Sequence, residues 1–455
     1  DGSNKKQITQ TPKSEGNAVW IKSGEKIAFL YEGQVWEMNP DGSGRTQLSN
    51  YEKAIEGFLF SPDEKKVAFI CQVKAYTSSS ETYEDLPNTT GRVIDDLMYK
   101  HWDEWVETIP HPFVADFDGN NFYNITDIME GEPFEAPLKP FGGIDDLAWM
   151  GEGNVLFYTS KKKTGKEYAR STNSDIYFYA SDKGASFNIT EGMMGYDTHP
   201  NFSPDNTWFS WLSMERDGYE SDKNRLFIVN MKEAAEGTGN QIDLTADWDY
   251  NVDDYCWSQD GKTVYIVSNV LGTTQLFAVT NLDETPVFEK LTEGEWDYTS
   301  VAVAGDYLVG LRRSMSCPPE VYAVNLQTRE QANLSQENTD LLAGIDMGRV
   351  EARWIKTTDG QDMLTWVVYP PDFDPAKKYP AILYCQGGPQ NTVSQFWSIR
   401  WNPQIMAAND YIIVLPNRHG VPGFGQAWNE QISGDYGGQN MKDYFSAIDA
   451  LAAEP

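Results

Sequence analysis

Hydrophobic and polar positions alternate in short runs along most of the chain, and the runs recur in a fixed order. A branched aliphatic residue followed by Thr or Ser appears as Ile8-Thr9, Leu48-Ser49, Ile125-Thr126, Ile189-Thr190, Leu244-Thr245, Leu291-Thr292 and Leu334-Ser335. After most of these comes an aromatic run, a tight turn and a second strand. Examples are Trp20 to Phe29, Phe60-Ser61-Pro62-Asp63 into Val67-Ala68-Phe69, Trp149 to Tyr158, Phe202-Ser203-Pro204-Asp205 into Trp208 to Trp211, and Trp257-Ser258-Gln259-Asp260 into Val264 to Val267. Alternation over such lengths, bounded by Pro, Asp and Gly, predicts strand, turn, strand. A third alternating strand follows at Gln34 to Met38, Asp175 to Phe178, Arg225 to Ile228, Gln275 to Ala278 and Glu320 to Ala323.

Four short strands per unit, repeated many times, predict a β-propeller, in which radial repetition leaves only short edges. A β-sandwich with chance similarities is the competing reading, and the order kept in five units argues against it. The pattern predicts an all-β, seven-bladed propeller over residues 1–345. Nothing before Ile8 has room for three strands. Six complete blades are therefore expected with a partial first one, or a first blade whose missing strands come from elsewhere in the chain.

The longest interval between end-strands predicts an insertion at about 72–112. It carries Asp95, Asp96, Asp103 and Glu104 among Tyr99, Trp102 and Trp105. Long insertions on a rigid scaffold are often functional.

Beyond residue 345 the period changes. Arg353 to Lys356 and Met363 to Tyr369 flank Asp359-Gly360 and predict a hairpin. Ala381 to Tyr384 and Tyr411 to Leu415 are apolar runs suited to buried strands. A helix is expected over Gln395 to Asn409, and Tyr444, Phe445, Ile448 and Leu451 recur at helical spacing. The order predicts a parallel α/β sheet over residues 346–455.

Composition narrows the function. With 36 Lys+Arg against 68 Asp+Glu, the net charge of −32 argues against a nucleic-acid partner, which requires clustered cation. No apolar run reaches the roughly 18 residues of a membrane span. The four cysteines, Cys71, Cys256, Cys317 and Cys385, form no Cys-x-x-Cys pair, so neither a disulfide scaffold nor a zinc site is indicated, although their even number allows disulfides; no metal and no cofactor is expected. The Asn-x-Thr/Ser triplets at Asn88, Asn124, Asn188, Asn201 and Asn333 match glycosylation acceptors, but three of them are the repeat's own end-strand.

Two glycine-rich loops follow the predicted buried strands, Cys385-Gln386-Gly387-Gly388-Pro389 and Asn417-Arg418-His419-Gly420 to Gly425. Loops at the carboxyl ends of adjacent strands place a site at that sheet edge. Paired glycines let backbone N–H groups face a ligand, as in hydrolases that stabilise an oxyanion. An ordinary strand-to-loop turn is the alternative for a lone Gly-Gly-Pro.

A propeller, then a strand into Gly-Gly-Pro, then an Asn-x-Arg-Gly-like loop ending in Gly-x-Gly, then Asp443 in a helix, together resemble the prolyl oligopeptidase family of serine peptidases. The segments Leu383 to Gln390, Arg400-Trp401-Asn402 and Trp428-Asn429-Glu430 are most similar to its bacterial dipeptidyl-peptidases. The resemblance implies an α/β-hydrolase domain capped by the propeller, acyl-enzyme chemistry, release of N-terminal dipeptides from short peptides, and a periplasmic or secreted location. It assigns oxyanion stabilisation to the region of Gln386 and Gly387, where many relatives carry Tyr or His at the position of Gln386. His419 stands where many carry Arg. Such enzymes hold their nucleophile in Gly-x-Ser-x-Gly after the Asp443 helix, and no such motif occurs here. The expectation is that this is one part of a longer protein, with the Ser, Asp and His of the triad outside it.

An exopeptidase must also hold its substrate's free ammonium. Glu104, a carboxylate with aromatic neighbours, is the candidate anchor, and a solvated acidic loop is the alternative. Trp397 and Arg400, on the expected helix, either line a substrate pocket or pack against the propeller. Asn417 is a further substrate-binding candidate. An acylaminoacyl-peptidase or oligopeptidase activity, or a noncatalytic propeller binding module, are the alternative functions. A homodimer is a possible assembly that the sequence leaves open.

Overall fold

A computed structural model describes residues 2–93, 106–151 and 153–454. Six small antiparallel sheets follow one another along the chain, each built from strands consecutive in sequence. The first comprises Glu15–Ile21, Lys26–Tyr31, Gln34–Met38 and Thr46–Gln47. The next four have the same order of four strands and begin at Ile55, Leu147, Asp197 and Asp254. The sixth, Asp297 to Asn333, has five strands. Six blade-type sheets match the six complete units expected, and Gln7-Ile8-Thr9 lies outside any strand. Two compact units are formed. One holds Lys6–Glu220 and Phe227–Ile242, and the other holds Asp1–Lys5, Ser221–Leu226 and Asp243–Pro455.

The repeated Ile/Leu-Thr/Ser pair has a physical cause. In five sheets its hydroxyl accepts the N–H of a third-strand residue, at 2.8 to 3.0 Å: Ser49 from Val35, Thr190 from Ile176, Thr245 from Leu226, Thr292 from Leu276 and Ser335 from Val321. The aliphatic residue's own N–H donates back to the same third-strand residue's carbonyl. One two-residue step therefore satisfies a donor and an acceptor at the sheet edge, where no further strand does so. Asn188 and Asn333 accept the N–H two residues ahead, which makes these Asn-x-Thr/Ser triplets part of the blade turn.

The aromatic-turn-strand unit also repeats atom for atom. Ser61, Ser203 and Ser258 each donate to the Asp two residues on, Asp63, Asp205 and Asp260, at 2.8, 2.6 and 2.7 Å. Each Ser Oγ then accepts the N–H of the returning strand, from Lys66, Trp208 and Thr263. Thr357 and Asp359 repeat the arrangement outside the blades.

The last sheet is mixed. Strand β1 (Val350–Lys356) pairs antiparallel with β2 (Asp362–Val368) across the Asp359-Gly360 turn. Strand β3 (Ala381–Leu383) lies at the edge and runs parallel to β4 (Ile412–Pro416), which pairs antiparallel with β2. The parallel pair is as expected, while the hairpin makes the sheet as a whole mixed. Met363, Leu364, Trp366, Val367, Val368, Ile413, Val414 and Leu415 form its buried interior. Each such side chain contributes about 1.5–3 kcal/mol of burial.

The helix expected over Gln395 to Asn409 is much shorter: α1 spans Pro403–Ala407. Pro403 disfavours helical backbone at Asn402, which is extended at φ −92°, ψ 112° and caps α1 by accepting the N–H groups of Gln404 and Ile405. Trp397 and Arg400 are therefore not on a helix. Helices α2 (Gln426–Glu430) and α3 (Gln439–Ala452) complete this region. Among the described residues no helix is long and apolar enough to cross a membrane.

Candidate active site

Strands β3 and β4 are parallel neighbours, so the loops leaving them, 384–391 and 417–425, start side by side at one sheet edge. Side-chain hydrogen bonds then tie the first loop and the two residues after it to the second loop and α2. Asn417 is fully buried, accepts the N–H of Val393 at 2.8 Å and donates to the Val393 carbonyl at 2.9 Å. Thr392 donates to the Pro422 carbonyl at 2.6 Å, and Gln390 donates to that of Asn429 at 3.0 Å. The Trp366 indole, from β2, also donates to Val393 O.

Arg418 is 2% exposed. Its Nη2 donates to the Pro389 carbonyl at 2.7 Å and to the Gln386 carbonyl at 3.4 Å, and its Nη1 donates to His419 O at 3.0 Å. Its Nε donates to the Tyr444 hydroxyl at 3.1 Å, and that hydroxyl donates to Gln386 O at 3.3 Å. Burial pushes the Tyr444 hydroxyl up, with Arg418 opposing, so it remains a neutral O–H donor. Gly420 (φ +97°) follows, where a Cβ would collide with Ile432 and with Arg418 itself.

His419 and Asp443 are both buried and make a dyad. Oδ2 of Asp443, on α3, is 2.6 Å from His419 Nδ1 and accepts the His419 backbone N–H at 2.8 Å, while Oδ1 accepts from Gln439 at 2.8 Å. The imidazole stacks on Trp428 with ring centroids 3.6 Å apart. Its Nε2 has no hydrogen-bond partner among the described residues, and Asp359 Oδ2 is 3.6 Å away. Burial would raise the Asp359 carboxyl, but the Thr357 hydroxyl and the His419 charge together hold it below the ordinary range. The imidazole thus lies between two carboxylates, Asp443 on Nδ1 and Asp359 nearer Nε2.

The free face of the site is the glycine loop. Gly387 is exposed, nothing lies within 4 Å of where a Cβ on it would be, and neither Gly387 nor Gly388 has its N–H engaged among the described residues. Unengaged N–H groups at a sheet's carboxyl edge suit a developing negative charge. Gln386 is half-buried at the start of this loop.

The other candidates fall elsewhere. Trp397 is half-buried and Arg400 is exposed, its guanidinium 5.5 Å from the Trp401 ring centroid. Both polar atoms of the Asn417 side chain are committed to Val393. Glu104, with Asp95, Asp96, Tyr99, His101, Trp102, Asp103 and Trp105, lies outside the described residues. His111 is buried against Asp127, with Nδ1 3.0 Å from its Oδ2. All four cysteines are free, and no group of three His, Cys, Asp or Glu among the described residues is arranged to hold a metal.

Arg418, Tyr444 and the His419–Asp443 dyad escaped the sequence reading as site residues. One signal was present. Asp443 sits four residues before Ala447 and beside Tyr444, which puts a carboxylate on the buried face of an amphipathic helix, where it needs a partner.

A model of the prolyl oligopeptidase family matches residues 397–455. Dipeptidyl-peptidase 5 of Porphyromonas gingivalis is 52% identical over 459 residues, covering 100% of this chain and 66% of the relative. Dipeptidyl-peptidase 5 of Porphyromonas endodontalis is 47% identical, covering 100% of this chain and 65% of the relative. The chain thus spans just under two thirds of the length of these curated relatives. Among solved structures, an acylaminoacyl peptidase of Pyrococcus horikoshii shares the fold with a TM-score of 0.72 at 16% identity, covering 96% of this chain and 63% of the other. With blade-type sheets leading into a mixed α/β sheet, a glycine loop at that sheet's edge and this identity along its whole length, the chain belongs to the prolyl oligopeptidase family.

Proposed function

We propose that this chain supplies the propeller and the oxyanion-binding part of a serine exopeptidase that removes N-terminal dipeptides from short peptides. One observation carries the reading: the N–H groups of Gly387 and Gly388 are unengaged among the described residues, and Gly387 is exposed with open space beside its Cα, in the loop at the carboxyl edge of two parallel strands. An N–H held in such a place stabilises the tetrahedral oxyanion more than the ground-state carbonyl, and loss of one such donor costs about 10²–10³ in kcat. The Gln386 amide is the side-chain donor beside them, in place of an aromatic hydroxyl or imidazole. The identity to two dipeptidyl-peptidases supports the substrate class. The nucleophile, its base and the base's carboxylate belong, on this reading, to the third of the relatives' length that this chain does not cover.

In that scheme the serine attacks the carbonyl after the second residue, and charge builds on the carbonyl oxygen facing the glycine loop. Collapse expels the peptide amine, and water releases the dipeptide from the acyl-enzyme. The test is labelling of the full-length protein with a fluorescent fluorophosphonate, with turnover of dipeptidyl and of N-acylated single-residue coumarin amides measured in parallel. Labelling with preferential dipeptidyl turnover is expected. Preference for the acylated substrate would overturn the dipeptidyl assignment, and absence of labelling would overturn the serine mechanism.

A further inference from the structure

We infer that Arg418 is a positioning residue for catalysis: its buried guanidinium holds the backbone of the 386–389 loop so that the glycine N–H groups face the substrate. The inference rests on the oxyanion reading of that loop.

Arg418 is 2% exposed, and among the described residues no carboxylate lies within 4 Å of its guanidinium. A buried cation without a counter-charge is expensive unless its donors are all satisfied, and a hydrophobic residue of similar volume would fill the space at lower cost. Here every contact is with a neutral oxygen: the carbonyls of Gln386, Pro389 and His419, and the Tyr444 hydroxyl. The planar fork serves the Tyr444 hydroxyl from Nε, the His419 carbonyl from Nη1 and two carbonyls of the loop from Nη2, a spread of donors that lysine's point charge does not reproduce.

Peptide geometry supplies the link to chemistry. In a trans peptide the C=O and the following N–H point in opposite directions. Gln386 O is drawn inward by Arg418 and by Tyr444, so the Gly387 N–H on the same peptide points away from them, toward the open side. The Pro389 carbonyl fixes the loop's far end at 2.7 Å. Arg418 is itself held in place. Its carbonyl accepts from the Trp428 indole at 3.0 Å, and the next residue is bound to Asp443 through both backbone and ring. Without the guanidinium, only the Tyr444 hydroxyl, at 3.3 Å from Gln386 O, is left to set the direction of the peptide that carries the Gly387 N–H.

The experiment uses the full-length protein with the substitutions R418M, R418K and G387P, the last removing one N–H. Each is assayed with a dipeptidyl coumarin amide and with a dipeptidyl boronic acid, whose tetrahedral adduct places an oxygen in the oxyanion position. For R418M we expect kcat and boronate affinity to fall together by about 100-fold, with KM changed by less than about 3-fold and R418K intermediate. That split separates positioning from a structural role, which lowers the active fraction without selecting for the tetrahedral adduct. If R418M does not fold, R418K decides by the same ratio of boronate to substrate binding. Wild-type kcat in a folded R418M, or a rise in KM alone, would overturn the inference. A damaged G387P beside an undamaged R418M would remove only the role of Arg418, whereas an undamaged G387P would remove the oxyanion reading beneath it.

Discussion

Asp443 Oδ2 accepts from His419 twice, from the backbone N–H at 2.8 Å and from the ring at 2.6 Å, in a place where neither side chain reaches solvent. The loop after β4 is thereby fastened to α3 at the residue next to Arg418. Removing one member of a buried pair strands the other, which costs about 3–5 kcal/mol. Asp443→Ala is expected to lower unfolding stability by that order in urea denaturation. The double variant H419F/D443L is expected to lose less than the sum of the single changes. Strict additivity would mean that the two side chains are not energetically coupled.

Asn417 gives a second test, because its buried amide is occupied by Val393. Asn417→Ala removes two hydrogen bonds and strands a buried N–H, for about 2 kcal/mol. A loss of urea midpoint of that order is expected, with KM following only as far as the folded fraction falls. A rise in KM in a variant of wild-type stability would instead make Asn417 a substrate contact.

Burial raises the Asp146 carboxyl to about 6, with Asp145 adding to the effect and the nearby His199 opposing it. Its folded pKa is therefore above the unfolded one. The stability linked to this proton is complete below about pH 4 and is lost as the pH rises through about 6, by roughly 3 kcal/mol. Asp146→Asn is expected to flatten the dependence of Tm on pH between 4 and 7 and to raise Tm relative to wild type at pH 8. An unchanged profile would show that the carboxyl titrates normally.

Glu104 remains the sequence-based candidate for holding the substrate ammonium. In the full-length protein, Glu104→Gln is expected to raise KM for dipeptidyl substrates at least about tenfold with kcat nearly unchanged, the pattern of lost uniform binding. An unchanged KM would exclude it as the anchor.

The blades were legible because their signal is local. A Ser-x-Asp turn closes its own hydrogen bonds within a few residues, and a Leu-Thr step reaches back only 14 to 19 residues within its own sheet, so each repeat carries its own arrangement. The hairpin across Asp359-Gly360, the strands at Ala381 and Ile412 and the helix holding Tyr444 were legible for the same reason. The helix expected from Gln395 failed because its apolar spacing took precedence over Pro403, which fixes a start rather than an interior. The site was half legible. Gln386 and Gly387 follow a strand directly, but the relation of Arg418 to Gln386, 32 residues earlier, exists only once β3 and β4 pair. His419 looked ordinary because its partner is 24 residues away and on another element.

The Ser-x-Asp turn shared by three sheets also bears on how the chain folds. Each closes a hairpin from contacts a few residues apart, an event of about 1–10 μs, and needs nothing from the other sheets. Ordering can therefore start at several points along the chain, with later steps joining hairpins already made. A Ser→Ala change at 61, 203 or 258 is then a change in one nucleus among several, one that the remaining turns can bypass.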